Sequence, residues 1–332
     1  MDRNFSFKRR DMKSEKIAVI IPMFNVEKHI EKVIESIPDL VDLIIIVDDH
    51  SRDNSVVIVK NIPDKRLIVI EHEVNKGVGG AMISGFKKAM ELCASIVIKV
   101  DGDGQMPMDY LNDLISPILL GQADFSKGNR FANFEDLTHM PLIRRIGNLG
   151  LSFITKAASG YWNVFDPTNG FFAMDGPTLR KLRLDDLHPR YFFESSLLCT
   201  LYRVGSVIED IPMPAKYGEE TSSLSEWKTL FEFPPLLFVR LINRIWLRYF
   251  VMDFSVASIS LIFSFIFLFF GCVWGLNWWY RSIQTGIPAT SGTVIIAALP
   301  VILGFQLFLQ FLTNDVQNIP NKPINKRGKT LI

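Results

Sequence analysis

Two aspartates, Asp101 and Asp103, stand one residue apart in "VIKVDGDGQMP", directly after a run of apolar β-formers. Carboxylates this close repel each other, and a turn needs only one of them. A hard divalent cation resolves the conflict. Mg²⁺ or Mn²⁺ takes carboxylate oxygens and leaves positions open for a diphosphate. A cation placed there neutralises charge on a departing phosphate group. Gly102 and Gly104 are expected to let a ligand approach the backbone. Calcium is the competing cation, but an EF-hand loop starting at Asp101 needs Gly at its sixth position and Glu at its twelfth. Met106 and Asn112 stand there instead. The plain alternative is an Asp-Gly turn that holds no ligand.

Other chemistries find less support. "NKGVGGAMISG" has Met82 where the last glycine of a dinucleotide fingerprint belongs, and it lacks the Gly-Lys-Ser/Thr of a P-loop. It reads as a helix start with small residues for close packing, with Asn75 and Gly77 able to face a ligand. The five histidines form no His-Glu-x-x-His pair, and no Gly-x-Ser-x-Gly elbow is present. Four charged positions remain: Arg130 in "KGNR", Asp166 in "DPTNGFFAM", Glu194 in "RYFFESSL" and Lys216 in "AKYGEETSS". The two cations could grip phosphates, one of them on a lipid. Asp166 and Glu194 are the candidates for a general base. Taken singly, each of the four reads better as a solvated surface charge.

These residues must be positioned by something, and the preceding runs indicate what. "KIAVIIP", "LIIIVDD", "RLIVIEH" and "ASIVIKVD" are apolar throughout rather than alternating. Such strands are buried on both faces, as in a parallel sheet covered by helices. Helical patterns follow each: Val26 to Ile37, a stretch after Asp53, one through Met90 and one from Asp109. The expectation is an α/β fold with a doubly wound, mostly parallel sheet. Ligands of such sheets bind at the carboxyl ends of the strands, where Pro22 to Asn25, Asp48-Asp49, Asn75 to Gly77 and Asp101 to Asp103 collect.

Hydrophobicity is concentrated near the C-terminus. No charged residue occurs from Phe254 to Tyr280 or from Ser282 to Asn314. Each stretch exceeds the roughly 20 residues that cross a bilayer. Trp274, Trp278, Trp279 and Tyr280 suit an interfacial belt at the end of the first stretch. Arg240, Arg244 and Arg248 precede the pair, Lys322, Lys326, Arg327 and Lys329 follow it, and the connection carries only Arg281. By the positive-inside rule both termini and the large N-terminal part lie in the cytoplasm. The segments read as a polar basic tail (1–16), a cytoplasmic catalytic domain (17–225), amphipathic interfacial helices (226–250), two transmembrane helices (251–314, with spans about 254–276 and 293–313) and a cytoplasmic C-terminal tail (315–332). The N-terminus has basic charge but no apolar core behind it, so it does not read as a secretory signal.

The formal net charge of +1 over 332 residues advertises no nucleic-acid partner. Three scattered cysteines fit a reducing compartment rather than a disulfide scaffold.

In order along the chain, "IPMFNVE", "VDDHSRD", "NKGVGGA", "DGDGQ", "GNR", "DPTNGF", "FFE" and "AKYGEETSS", followed by the hydrophobic pair, resemble the family-2 glycosyltransferases of GT-A fold. Within them the chain is similar to the polyprenyl-phosphate glycosyltransferases, the group that includes dolichol-phosphate-mannose synthase. The resemblance runs from about Ile17 to the C-terminus. It implies that Pro22, Phe24, Asn25, Glu27, Val47 and Asp49 hold the nucleotide, with Asn75 and Gly77 beside them. It implies that Asp101, Gly102, Asp103 and Gln105 surround the metal and diphosphate, and that Arg130 and Lys216 contact phosphates. The departures are Phe24 for the usual Tyr, Val26 for Glu with Glu27 one place later, His50 for Gly, and Ser222-Ser223 where eukaryotic-type members carry Ser-Lys. They bear on base and sugar specificity rather than on the reaction.

The implied reaction is metal-dependent, inverting transfer of a sugar from a nucleotide donor to a polyprenyl phosphate at the bacterial plasma membrane. UDP is the expected nucleotide and GDP the alternative. A phosphate acceptor is mostly dianionic near neutral pH and needs no general base. The competing readings are transfer to a hydroxyl of a glycolipid or polysaccharide, and a non-catalytic membrane protein that binds a nucleotide sugar. The hairpin could pack against itself or against a second copy.

Overall fold

The computed structural model describes residues 15–130, 142–214 and 226–327. Two compact units result: Met1–Arg240 together with Pro320–Ile332, and Leu241–Ile319.

In the first unit the apolar runs become strands β1 (Ile17–Met23), β2 (Leu43–Asp48), β3 (Leu67–Glu71) and β4 (Ile96–Lys99). Three more follow, β5 (Phe125–Asn129), β6 (Phe172–Asp175) and β7 (Ile208–Pro212), giving one sheet in the order β3-β2-β1-β4-β6-β5-β7. The first four pair in parallel. Ile44, Ile45, Ile46 and Val47 of β2 are fully buried, as two-sided coverage requires. Helices α1 (Ile30–Ser36), α2 (Ser55–Asn61), α3 (Gly77–Glu91) and α4 (Leu111–Leu119) follow β1 to β4 in turn, so the βα alternation read from the sequence holds.

Two local differences have physical causes. Helix α1 starts at Ile30 rather than Val26, because the preceding loop is stitched to the turn after β2. Val26 N donates to Ser55 Oγ and Glu27 N to Asp53 Oδ2, each at 3.0 Å. These cross-links satisfy amide donors that a helix start would leave open. Strand β6 runs antiparallel to both β4 and β5, with Lys99 opposite Phe172. Its reversed direction delivers the residues just before it, Asp166 to Gly170, to the edge where β4 ends. Helix α5 (Leu142–Ser159) precedes that segment, α6 (Gly176–Lys181) and α7 (Phe193–Val204) follow β6, and α8 (Glu226–Trp246) leads out of the unit.

The second unit holds a π-helical turn (Leu247–Met252), α9 (Val256–Thr285) and α10 (Ser291–Gln317). Both long helices are apolar enough to cross a membrane, and they overrun the expected spans at both ends except at the start of the first. At 1.5 Å per residue they measure roughly 45 and 40 Å, against about 30 Å of hydrocarbon. They approach closely at glycines. A Cβ on Gly271 would sit 2.8 Å from Ala297 O, and one on Gly304 2.9 Å from Leu268 N. Near the end of α10, Asp315 is 1% exposed and takes a bidentate ion pair from Arg244, at 2.7 and 2.8 Å, plus the Tyr249 hydroxyl at 2.7 Å. The chain then rejoins the first unit, where Ile324 of α11 (Ile324–Arg327) donates its backbone N–H to buried Asp124 at 2.8 Å.

Candidate active site

Strand β4 ends on a lysine that the sequence reading passed over. Lys99 is 1% exposed at the end of an otherwise apolar strand. Its Nζ lies 2.8 Å from Asp101 Oδ1 and 3.0 Å from Glu194 Oε1. Burial alone would lower its pKa, but the two carboxylates outweigh burial and hold it above the ordinary lysine value. Glu194 arrives on the first turn of α7, where the helix dipole favours a carboxylate. Gly170, from the segment before β6, makes room for the group. A Cβ there would stand 2.4 Å from Lys99 Nζ and 2.8 Å from Asp101 Oδ2. Asp101 Oδ2 and Glu194 Oε2 accept no hydrogen bond among the described residues.

Next to this group sits a second buried cluster. Arg130 clamps the Asp166 carboxylate, Nε to Oδ2 at 2.7 Å and Nη2 to Oδ1 at 3.1 Å, while Thr168 Oγ1 lies 3.3 Å from Oδ1. Asp166 is fully buried, which would raise its pKa, yet the hydrogen bonds and charge of Arg130 keep it below the usual carboxylate value. Lys127 of β5 donates to the Asp166 carbonyl at 2.6 Å. Burial lowers Lys127 to about 8 against the pull of Asp166, Asp210 and Glu194, so the two clusters share one electrostatic environment. Asp210 is pushed up to about 6, chiefly by burial.

On the nucleotide side, geometry divides the predicted residues. Phe24 projects from the end of β1, 47% exposed, free to stack on a planar ligand. Val47 is fully buried within β2, so its side chain is closed to any ligand. Asp49 is turned inward. Its carboxylate accepts Lys76 N at 2.8 Å and Gly77 N at 2.7 Å and meets His72 Nδ1 at 2.9 Å, while Ser84 Oγ meets His72 Nε2 at 2.8 Å. Asn75 Nδ2 donates to the Asp49 carbonyl. Gly77 needs its φ of +82° to present that amide, and a Cβ would fall 2.6 Å from Pro189 O. Asn25 (φ +53°) and Glu27 brace the neighbouring turn by accepting from Arg52 N and Asn54 N. Asp49, Asn75, Gly77, Asn25 and Glu27 therefore shape the loops that border the site.

Asp103 Oδ1 accepts Gln105 N at 3.0 Å, which tightens the loop after β4 and leaves the Gln105 side-chain amide without a hydrogen bond among the described residues. Gly102 also has a packing role: a Cβ there would stand 3.2 Å from Val26 Cγ2. Gly104 takes a φ of +76° for the turn. Lys216 lies outside the described residues. Among the described residues no group of three or more His, Cys, Asp or Glu converges on a metal position. Asp101 Oδ2, Asp103 and the Gln105 amide, all from the loop after β4, would supply a sparse oxygen set. That set fits Mg²⁺ or Mn²⁺, which commonly bind one or two carboxylates and complete their shell with phosphate and water.

The signal for Lys99 was available. A lone cation inside "SIVIKVD" cannot be buried without a partner. Gly170 and Thr168 carry no such mark, because only the antiparallel placement of β6 brings them to the site.

The family model described as "Glycosyl transferase family 2" matches residues 18–183. The UDP-N-acetylglucosamine–dolichyl-phosphate N-acetylglucosaminyltransferase of Methanococcus voltae is 36% identical over 223 residues, which cover 63% of this chain and 88% of that protein. The undecaprenyl-phosphate mannosyltransferase of Micrococcus luteus is 25% identical, over 60% of this chain and 82% of that one. Among solved structures, glucosyl-3-phosphoglycerate synthase from Mycobacterium tuberculosis, crystallised with Mn²⁺, UDP and glucosyl-3-phosphoglycerate, superposes with a TM-score of 0.54. That likeness covers 71% of this chain and 81% of that chain at 21% identity, and it supports the fold. With the parallel βα half, the reversed β6 and the acidic loop after β4 in place, the chain belongs to glycosyl transferase family 2.

Proposed function

We propose that this protein moves a sugar from a nucleotide-linked donor, with UDP as the expected nucleotide, to a polyprenyl phosphate at a membrane surface. One observation carries the choice of a phosphate acceptor over a hydroxyl. The two carboxylates read from the sequence as candidates for a general base are held by cations: Asp166 by Arg130 and Glu194 by Lys99. Proton uptake by either would break a buried or half-buried ion pair. A hydroxyl acceptor requires such a base, whereas a phosphate dianion attacks without one. The two apolar helices and the names of the relatives from Methanococcus and Micrococcus support a lipid-linked acceptor. The flanking lysines and arginines favour both termini and the catalytic unit on the cytoplasmic side.

Asp101, Asp103 and Gln105 would hold Mg²⁺ or Mn²⁺, whose contribution when bound is to neutralise the departing diphosphate. The chain does the rest. Phe24 offers a face to the base, and the loops braced by Asp49 and Glu27 fix the donor side. An oxygen of the lipid phosphate forms the new bond to the anomeric carbon as the bond to the diphosphate oxygen breaks. The nucleoside diphosphate leaves with the electron pair, and the anomeric centre inverts.

The test incubates purified full-length protein with labelled nucleotide sugars, with and without undecaprenyl phosphate, in Mn²⁺ or EDTA. Acid-labile label in the organic phase, dependent on the lipid phosphate and abolished by EDTA, is the expected result. Transfer to a phosphate-free glycolipid, with none to the lipid phosphate, would refute the proposal.

A further inference from the structure

Lys99 poses a question that packing does not answer. An apolar side chain of similar length would fill the same position in β4 without the cost of burying a charge. The lysine instead sits between two carboxylates 93 positions apart in the chain, one on the loop after β4 and one on α7. It engages Oδ1 of Asp101 and Oε1 of Glu194, and Asp101 Oδ2 is left without a hydrogen bond among the described residues. Gly170 closes the far side, with space for no further side-chain atom.

The charges give this arrangement a meaning. Lys99 places one positive charge against Asp101 and Glu194, and so takes up a negative charge that a cation between them would otherwise balance. Without the lysine, Asp101 and Glu194 would themselves form a pair suited to bind a cation.

We infer that Lys99 is a positioning residue that occupies, with its own ammonium, the cation position between Asp101 and Glu194, and so confines a divalent ion to the Asp101 Oδ2–Asp103 side. The inference rests on the metal-bearing site of the proposed function. It has a consequence of unusual sign. Removing the lysine tightens metal binding while harming catalysis, because the ion is drawn toward Glu194 and away from the diphosphate.

The experiment measures Mn²⁺ binding by electron paramagnetic resonance on the full chain, with UDP held at saturation, for the wild type, Lys99→Met and the charge-balanced double variant Lys99→Met/Glu194→Gln. For Lys99→Met, the Mn²⁺ Kd is expected to fall at least tenfold and kcat to fall at least a hundredfold. The double variant restores the net charge and buries no unpaired carboxylate, so its Kd is expected within threefold of wild type. A folded Lys99→Met with an unchanged or weaker Kd overturns the inference. Should Lys99→Met fail to fold, the double variant decides: a Kd more than tenfold weaker than wild type overturns it as well. Absence of any Mn²⁺ binding by the wild type would instead remove the metal reading of the site, and this inference with it.

Discussion

Asp166→Asn separates a clamped structural carboxylate from a proton acceptor. Asp166 Oδ2 accepts Arg130 Nε at 2.7 Å and the Arg130 backbone N–H at 3.3 Å, and Oδ1 accepts Arg130 Nη2 at 3.1 Å and the Thr168 hydroxyl at 3.3 Å. Asparagine keeps the shape but loses the charge, and its amide group sets a donor against the guanidinium donors. A hydrogen bond to a charged group contributes about 1.5–3 kcal/mol. Arg130 is 39% exposed, so solvent recovers part of that. The expected loss is about 2 kcal/mol, or roughly 4–8 °C in Tm for a unit of this size. The sign with pH follows from the direction of the shift. Asp166 is held below its unfolded value, so the stabilisation is complete above pH about 4 and disappears as pH falls through the folded-state pKa. The assay is thermal unfolding of the detergent-solubilised full chain at pH 7, for Asp166→Asn, Arg130→Gln and the double variant, with a coupling of about 2 kcal/mol expected. A Tm for Asp166→Asn within 1 °C of wild type, together with lost activity, would refute the reasoning and return Asp166 to the role of a base.

Gly77→Ala forces a Cβ to 2.6 Å from Pro189 O at a φ of +82°. It should cost about 2–3 kcal/mol, read as a lower Tm and weaker UDP binding in calorimetry. Asp210 is raised to about 6 from 3.8, so the folded state resists its ionisation and stability is lost as pH rises from about 4 to 6. Asp210→Asn should therefore raise stability by on the order of 2 kcal/mol at pH 8 and by little at pH 4, which paired melting curves would reveal. Asp315→Ala strips the buried partner from Arg244 and Tyr249. A loss of about 3–5 kcal/mol is expected, visible as faster proteolysis of the helical unit in micelles.

What could be read from the sequence follows physical range. Strands β1 to β4 and the loops at their ends were legible because each rests on local apolar runs and on the fixed geometry of a parallel sheet. The Asp101–Asp103 loop was legible for the same reason. Chemical type did not reveal direction. Asp49 was read as a ligand contact, and the motif gave no sign that its carboxylate also accepts the amides of Lys76 and Gly77 and meets His72, 23 positions away. Val47 sat near it in the motif, but β2 is covered on both faces, so every side chain along its second half is buried. Arg130 and Asp166 were each noticed without their bond, because 36 positions and a reversed strand separate them.

The return of the chain at Pro320 sets an order of events in biosynthesis. Asp124 is 1% exposed and receives Val207 N on one oxygen and Ile324 N on the other. Val207 emerges from the ribosome before the apolar helices, and Ile324 only after them. The globular unit therefore gains this last backbone donor when both helices have already been made, and a protein cut after Arg240 lacks it. A shortened, water-soluble version would be more than an enzyme released from its anchor. It would also have lost a fastener that is synthesised only after both helices.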